Sequence, residues 1–286
     1  MMINKFLFLT LLFLSNTTFT SNLSENDEFS VTEEQVMLAE EIIQKLESNH
    51  LVKKGYENIK GEAFEVFIER LDPNKNIYIN QEVESILSDV KKESTLRKDL
   101  QTAYYLFNKY VDRYQDRYEI QVEFLNEMSD TDLQSNRKIK RSLSEASRQN
   151  SIFGLKSLWK DLSTNEVIQL MLTGNSLEES VDKTIKRMDN QLNYFEQTRE
   201  EDVFDIFVNS IASIYGPHTS YMSPKNSEDF DINMSLSLEG IGALLSSDGL
   251  YTSISSLVPG GPAEKTESLN PEDKIIGVGQ DEDGEI

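Results

Sequence analysis

The sequence predicts a mainly α protein, with a helical domain over most of its 286 residues and a small β-rich domain after it. Three observations carry this. Apolar residues recur at steps of three and four from about residue 32 to about residue 215. Gly216-Pro217 then interrupts that pattern. Beyond about residue 230 glycine becomes frequent, with eight of the chain's thirteen between Gly240 and Gly284, and short β-type runs replace the helical spacing.

The N-terminus comes first. Lys5 precedes an apolar run, Phe6 to Leu14, and small and polar residues follow through Ser21. A spanning helix needs roughly 20 apolar residues, and this run is less than half that. Residues 1–20 therefore read as an export signal cut near Thr20 or Ser21, which predicts a periplasmic protein with no stable membrane span after cleavage. The alternative is an anchor in the inner membrane. Residues 21–230 are expected to form the helical domain and 231–286 the β-rich one.

Thr32-Glu33-Glu34-Gln35 has the pattern of a capping box, and the helix it opens carries Val36, Leu38, Ala39, Ile42, Ile43 and Leu46 on one face. A second helix carries Phe64, Phe67, Ile68 and Leu71. It stops at Asp72-Pro73, because the residue before proline is pushed out of the helical region. The longest periodic segment starts near Leu96 and places Leu100, Ala103, Phe107, Tyr110, Val111, Tyr114, Tyr118, Val122 and Leu125 on one face. A stripe at this spacing reads as core, aromatic though it is. Arg137, Lys138, Lys140, Arg141 and Arg148 form the one locally basic stretch, read as a solvated helix face. Further helices are expected over Thr164 to Leu172, Leu177 to Phe195 and Val203 to Tyr215. Strands are expected over Ile241 to Leu245, Tyr251 to Leu257 and Lys274 to Val278.

Composition excludes several functions. The net charge is -22, a field that repels phosphate backbones, so no nucleic-acid partner is expected. The chain has no cysteine, which removes thiol nucleophiles and thiolate metal sites. Only His50 and His218 could supply imidazole, so no metal centre and no cofactor is expected. The segment Asp72 to Asn80 imitates the first positions of a calcium loop, but Ile77 stands where the sharp turn needs glycine and Val83 where a glutamate should close it. Ser-x-x-Lys occurs at Ser88/Lys91, Ser135/Lys138, Ser157/Lys160 and Ser180/Lys183, close to the chance frequency, and none lies beside a glycine-built oxyanion site. His218 reads as a structural residue at a helix exit.

The informative segment is Ser237 to Leu245. Gly240 and Gly242 flank Ile241, just before a strand. Such a turn lets the backbone N–H groups of Gly240, Ile241, Gly242 and Ala243 converge on an anion such as a carboxylate. The strand that follows, through Leu244 and Leu245, can add an extended peptide along its edge. A lone Gly-x-Gly says little, but here Val258-Pro259-Gly260-Gly261-Pro262-Ala263 and Asp273-Lys274-Ile275-Ile276-Gly277-Val278 follow it.

Together these stretches resemble a PDZ domain of the C-terminal processing peptidases. Tyr215 to Pro224 and Ser227 to Ile232 resemble the approach to that domain, and Leu71-Asp72-Pro73 with Tyr78 is similar to a motif in the helical domain of the tail-specific protease branch. The resemblance implies a serine endopeptidase that captures unfolded or apolar protein C-termini through its PDZ domain and cuts with a Ser–Lys dyad. It also implies that an adaptor lipoprotein could serve as a partner. No residue of this chain matches the dyad, so no catalytic residue is assigned and the chain alone is expected to be inactive. In the family the dyad follows the PDZ domain, and the chain ends inside that domain, so the PDZ element is expected to be incomplete and one wall of its peptide groove missing. The chain is thus expected to be the N-terminal portion of such a protease; the alternative is a non-catalytic helical adaptor with a vestigial PDZ element.

Overall fold

The computed structural model describes residues 28–92, 94–134, 138–139, 143–195, 197–234, 240–248, 251–266 and 268–279. The segment read as an export signal lies outside them, as do Arg137, Lys140, Arg141 and residues 235–239.

The helical domain opens with α1 (Glu33–Asn49), α2 (Tyr56–Leu71), α3 (Asn80–Val90) and α4 (Leu96–Asn126), and continues with α5 (Ile152–Leu172), α6 (Leu177–Phe195) and α7 (Glu200–Tyr215). The capping box forms as the sequence requires: the Gln35 amide donates to Thr32 Oγ1 at 3.2 Å and the Thr32 amide donates to Gln35 Oε1 at 3.0 Å. The central contact joins α2 to α7. Phe64 and Phe67 meet Phe207 edge-on, with ring centroids 5.1 and 5.5 Å apart. Such aromatic pairs add to the burial of large apolar surface.

The long helix α4 serves two layers. Its first half buries Leu100, Ala103, Tyr104 and Phe107 in the core shared with α1, α2 and α7. Its second half packs against α5 and α6, where Leu125, Leu155, Trp159 and Val167 are buried. The aromatic stripe is therefore core over its first turns. Tyr110 and Tyr114 are only partly covered.

The segment that imitates a calcium loop is closed by its own backbone. Asp72 is buried, and its carboxylate accepts from the amides of Asn76, Ile77 and Tyr78 at 2.8, 3.2 and 3.1 Å. Arg148 pairs with the same carboxylate. This corrects the reading of the basic stretch, because Arg148 is a buried partner of Asp72 rather than part of a solvated helix face. Trp159 reaches the same loop, its indole N–H donating to the Asn76 carbonyl at 2.7 Å.

Three further differences from the sequence reading stand out. Helix α5 begins at Ile152, where the Ser151 hydroxyl caps the Gly154 amide at 3.1 Å, not at Thr164. Its apolar residues run around the whole circumference, with Phe153 exposed and Leu155 buried, so no single stripe marks its start. Helix α3 also carries too few core residues to stand out. Finally, helical structure does not end at Gly216-Pro217: α8 (Pro224–Met234) follows, with proline at its first position, and passes the expected boundary at 230/231.

The C-terminal part is an antiparallel sheet in the order β1 (Ala243–Asp248), β2 (Tyr251–Leu257) and β3 (Lys274–Ile275), with the short helix α9 (Pro262–Thr266) between β2 and β3. β1 starts two residues later than expected and runs further. Among the described residues of this part, Ile254 and Ala263 are the buried apolar side chains. No described helix is long and apolar enough to cross a membrane.

Candidate peptide-binding edge

The loop 240–243 is shaped by contact with a second turn. Gly242 has φ +75°, in the left-handed region that favours glycine. A β-carbon on Gly242 would lie 2.9 Å from Pro262 Cδ and 3.0 Å from the Gly261 α-carbon. A β-carbon on Gly261 would lie 2.9 Å from the Val258 carbonyl oxygen. The two glycines together let the loop and the Val258–Pro262 turn touch. The sequence reading identified Gly242 but not its dependence on Gly261, because the partner lies a strand away.

Two hydrogen bonds fix the direction of the loop's peptide groups. The Ile241 carbonyl accepts from the Ala263 amide and the Gly242 carbonyl from the Val258 amide, each at 2.8 Å. In a trans peptide the N–H points opposite to the C=O it adjoins. With both carbonyls turned inward, the amides of Gly242 and Ala243 are aimed outward. Among the described residues, none of the amides of Gly240, Ile241 and Gly242 has a protein acceptor. The loop is open to solvent: Gly240 is exposed, and the Ile241 side chain is 46% exposed.

The phase of the β1–β2 ladder extends this argument. Ala243 lies opposite Leu257, and the bond from the Val258 amide to the Gly242 carbonyl makes Ala243–Leu257 a non-hydrogen-bonded pair. Leu245 lies opposite Ile254, whose amide and carbonyl bond to Asp273 and Glu272 instead, at 2.9 and 2.8 Å. The backbone groups of Ala243 and Leu245 therefore face away from β2. Among the described residues no strand pairs with that side of β1. Leu244 and Leu245 are 62% and 49% exposed although successive side chains point to opposite faces. Both side chains are thus about half open or more, although Ile254, opposite Leu245, is buried.

The other candidates are tied up elsewhere. The Ser180 hydroxyl donates to the Ser176 carbonyl at 2.7 Å, and Lys183 reaches Asn175. Lys91 lies 3.7 Å from Glu65. Ser135 lies outside the described residues. His218 is exposed, whereas His50 does the structural work at this corner. Its Nδ1 lies 3.0 Å from the Val52 amide nitrogen and 3.2 Å from the Val52 carbonyl oxygen, and its Nε2 lies 3.0 Å from Thr219 Oγ1. The His50 ring also meets Tyr215 edge-on at 5.4 Å.

Residues 42–225 match the family described as the tail specific protease N-terminal domain. The chain is 31% identical over 255 residues to a tail-specific protease of Haemophilus influenzae, a match covering 88% of this chain and 36% of that protein. It is also 31% identical over 107 residues to the carboxy-terminal processing protease CtpA of Bacillus subtilis, covering 37% of this chain and 22% of that one. The chain thus spans little more than a third of the longer match's length. With most of its helical domain inside the matched residues, the chain belongs to the tail specific protease N-terminal domain family.

Proposed function

We propose that this chain is the substrate-docking portion of a periplasmic, C-terminal processing serine endopeptidase. The loop Gly240, Ile241, Gly242 and Ala243 takes the terminal carboxylate of an unfolded protein. The apolar tail then pairs along the free edge of β1 beside Leu244 and Leu245, in the manner of a PDZ domain. The single observation that supports this reading is the inward turn of the Ile241 and Gly242 carbonyls, which aims consecutive amides outward at the head of an unpaired strand. A carboxylate accepting two or three backbone N–H bonds is a strong, charge-assisted interaction. The Ser–Lys dyad that cuts is assigned to no residue of this chain, and the chain alone cleaves nothing.

The experiment is calorimetric titration of the chain with an unstructured peptide ending in apolar residues, as free acid and as amide. The free acid binds at least about tenfold more tightly, the equivalent of one charge-assisted hydrogen bond. Equal binding of the two forms rejects the carboxylate role of the loop. Release of peptide fragments, blocked by a serine-directed inhibitor, rejects the placement of the dyad elsewhere. The periplasmic assignment is checked by locating the mature chain in the periplasmic fraction of an expressing bacterium and sequencing its N-terminus, expected near residue 21.

A further inference from the structure

The chain approaches α1 across a seat on α4. Residues 28–31 form neither helix nor strand and lie along one face of α4, which Gln101, Tyr104, Tyr105, Asn108 and Asp112 supply at helical spacing. One side chain grips the backbone of this strap. The Phe29 amide donates to Asn108 Oδ1 at 3.1 Å, and the Phe29 carbonyl accepts from Asn108 Nδ2 at 2.8 Å. Phe29 thus shows its N–H and its C=O to the same side, as a residue in a β-ladder does. Its ring meets Phe107 edge-on, with centroids 5.3 Å apart. Asn108 reads main chain and Phe107 reads an aromatic ring, and neither depends on the rest of the strap's sequence.

The strap is held lightly. The Ser30 amide donates to Glu200 Oε1 at 3.3 Å, and no backbone–backbone hydrogen bond joins residues 28–31 to the other described residues. Helix α1 does not need the strap, since Thr32 and Gln35 close its first turn by themselves. A groove of about 950 Å³ lies between the strap and α4. Charge at its end opposes the strap: burial, then Glu28, push the Asp112 carboxyl up. Lys109 cannot relieve this pair freely, because it is engaged by Glu82 at 2.7 Å.

We propose that this face of α4 is a seat for an extended stretch of unfolded polypeptide bearing an aromatic residue, and that residues 28–31 fill it as a displaceable ligand supplied by the chain itself. The incoming aromatic side chain replaces Phe29 on Phe107, with its own backbone on Asn108. A neutral or basic residue before it replaces Glu28 beside Asp112, so a foreign segment is the better ligand of the two. The strap of a second copy carries the same glutamate and gains nothing over the resident one. The inference rests on the reading of the chain as the docking portion for unfolded proteins, but it concerns an internal stretch of the substrate rather than its carboxylate end.

The probe is a synthetic peptide of residues 26–32 with the change Glu28→Lys, acetylated and amidated so that it offers no carboxylate to the loop 240–243. Titrated into the full chain, it binds at least about fivefold more tightly to the Phe29→Ala variant than to the parent, because apparent affinity scales with the fraction of seats that are free. Adding Asn108→Ala removes that gain. Methylating the probe's backbone nitrogen at its phenylalanine, which deletes one of the two clamp bonds, costs about fivefold or more. In the unaltered chain, saturating probe speeds deuterium exchange of the Phe29 amide, a readout that needs no variant to fold. Equal affinity of Phe29→Ala and parent, a gain that survives Asn108→Ala, or an unchanged Phe29 amide overturns the proposal. So does a probe that binds as well with its glutamate retained, since the strap would then be no weaker than its competitor. Dimerisation of the parent that is lost in Phe29→Ala gives the seat to a second copy and overturns it too. None of these results bears on the loop's preference for a free acid, so the two readings fail separately.

Discussion

Asp72 and Arg148 lie 76 residues apart in sequence and form an ion pair in which both side chains are nearly or fully buried. The pair ties the loop after α2 to the segment before α5, and Trp159 closes the same junction from α5. Asp72 also accepts from three backbone amides, which anchor its carboxylate to the loop. Removing one member of a buried pair leaves the other uncompensated, at a cost of about 3–5 kcal/mol. Arg148→Ala is therefore expected to lower the urea midpoint by that equivalent, whereas Lys138→Ala, at an exposed position in the same basic stretch, changes it by less than about 0.5 kcal/mol. Equal small effects from both substitutions would show that the pair is dispensable.

Glu82 makes stability depend on acid. Burial pushes its carboxyl up, but Arg113, Lys109 and the Ile79 amide outweigh that and hold it at about 2. Arg113 grips it through both oxygens, at 2.7 and 3.0 Å, and Lys109 lies at 2.7 Å. The folded value is below the ordinary 4.5. The contribution is therefore complete above about pH 4.5 and is lost as pH falls toward 2. With partial solvent screening it amounts to about 1–2 kcal/mol. Urea titrations of Glu82→Gln should show lower stability at neutral pH and a flatter decline between pH 5 and 2 than the parent, and parallel declines would exclude this residue as the cause.

How much of this was legible beforehand depends on whether the signal is local. The capping box at Thr32, the stop at Asp72-Pro73 and the spacing of α4 all act within a turn or two of chain, and the structure has them where the sequence puts them. The Arg148–Asp72 pair was hidden because nothing near Arg148 announces a partner so far upstream. The same holds for His50, which binds Thr219 across 169 residues while His218, beside that threonine, points to solvent. In the candidate site the glycine loop was visible as a pattern. The direction of its carbonyls was not, since that is set by Val258 and Ala263 on the far side of a strand.

Gly242 links the fold of the loop to its proposed use. With φ +75° and a neighbour 2.9 Å from the position of a β-carbon, Gly242→Val strains the backbone and forces the Pro262 turn away. The expected result is at least a tenfold loss of carboxylate-dependent binding at the β1 edge, with far-UV helical signal unchanged. Gly260 is the control. It also has positive φ, +75°, but nothing stands within 4 Å of its β-carbon position. Gly260→Asn, a residue that tolerates this conformation, should bind as the parent does. Equal loss in both variants would mean that general loosening of the sheet, not the Gly242 contact, controls binding.

The free edge of β1 makes a finer demand on the ligand. If the terminal carboxylate sits at Gly242, the peptide must run toward the start of β1 while β1 runs away from it, so the two pair antiparallel. Only the backbone groups of Ala243, Leu245 and the alternate residue Ser247 face outward, and they recur every second residue, about 7 Å apart. The peptide must therefore present its own N–H groups to β1 at every second position, and the intervening N–H groups point to solvent. Methylating the peptide's backbone nitrogens one at a time should alternate in effect, with a loss of about fivefold or more at positions facing β1 and near-parent affinity at the others. A uniform loss along the peptide, or none at all, is incompatible with strand addition, because a ladder of hydrogen bonds on one edge can only be sensed with a period of two.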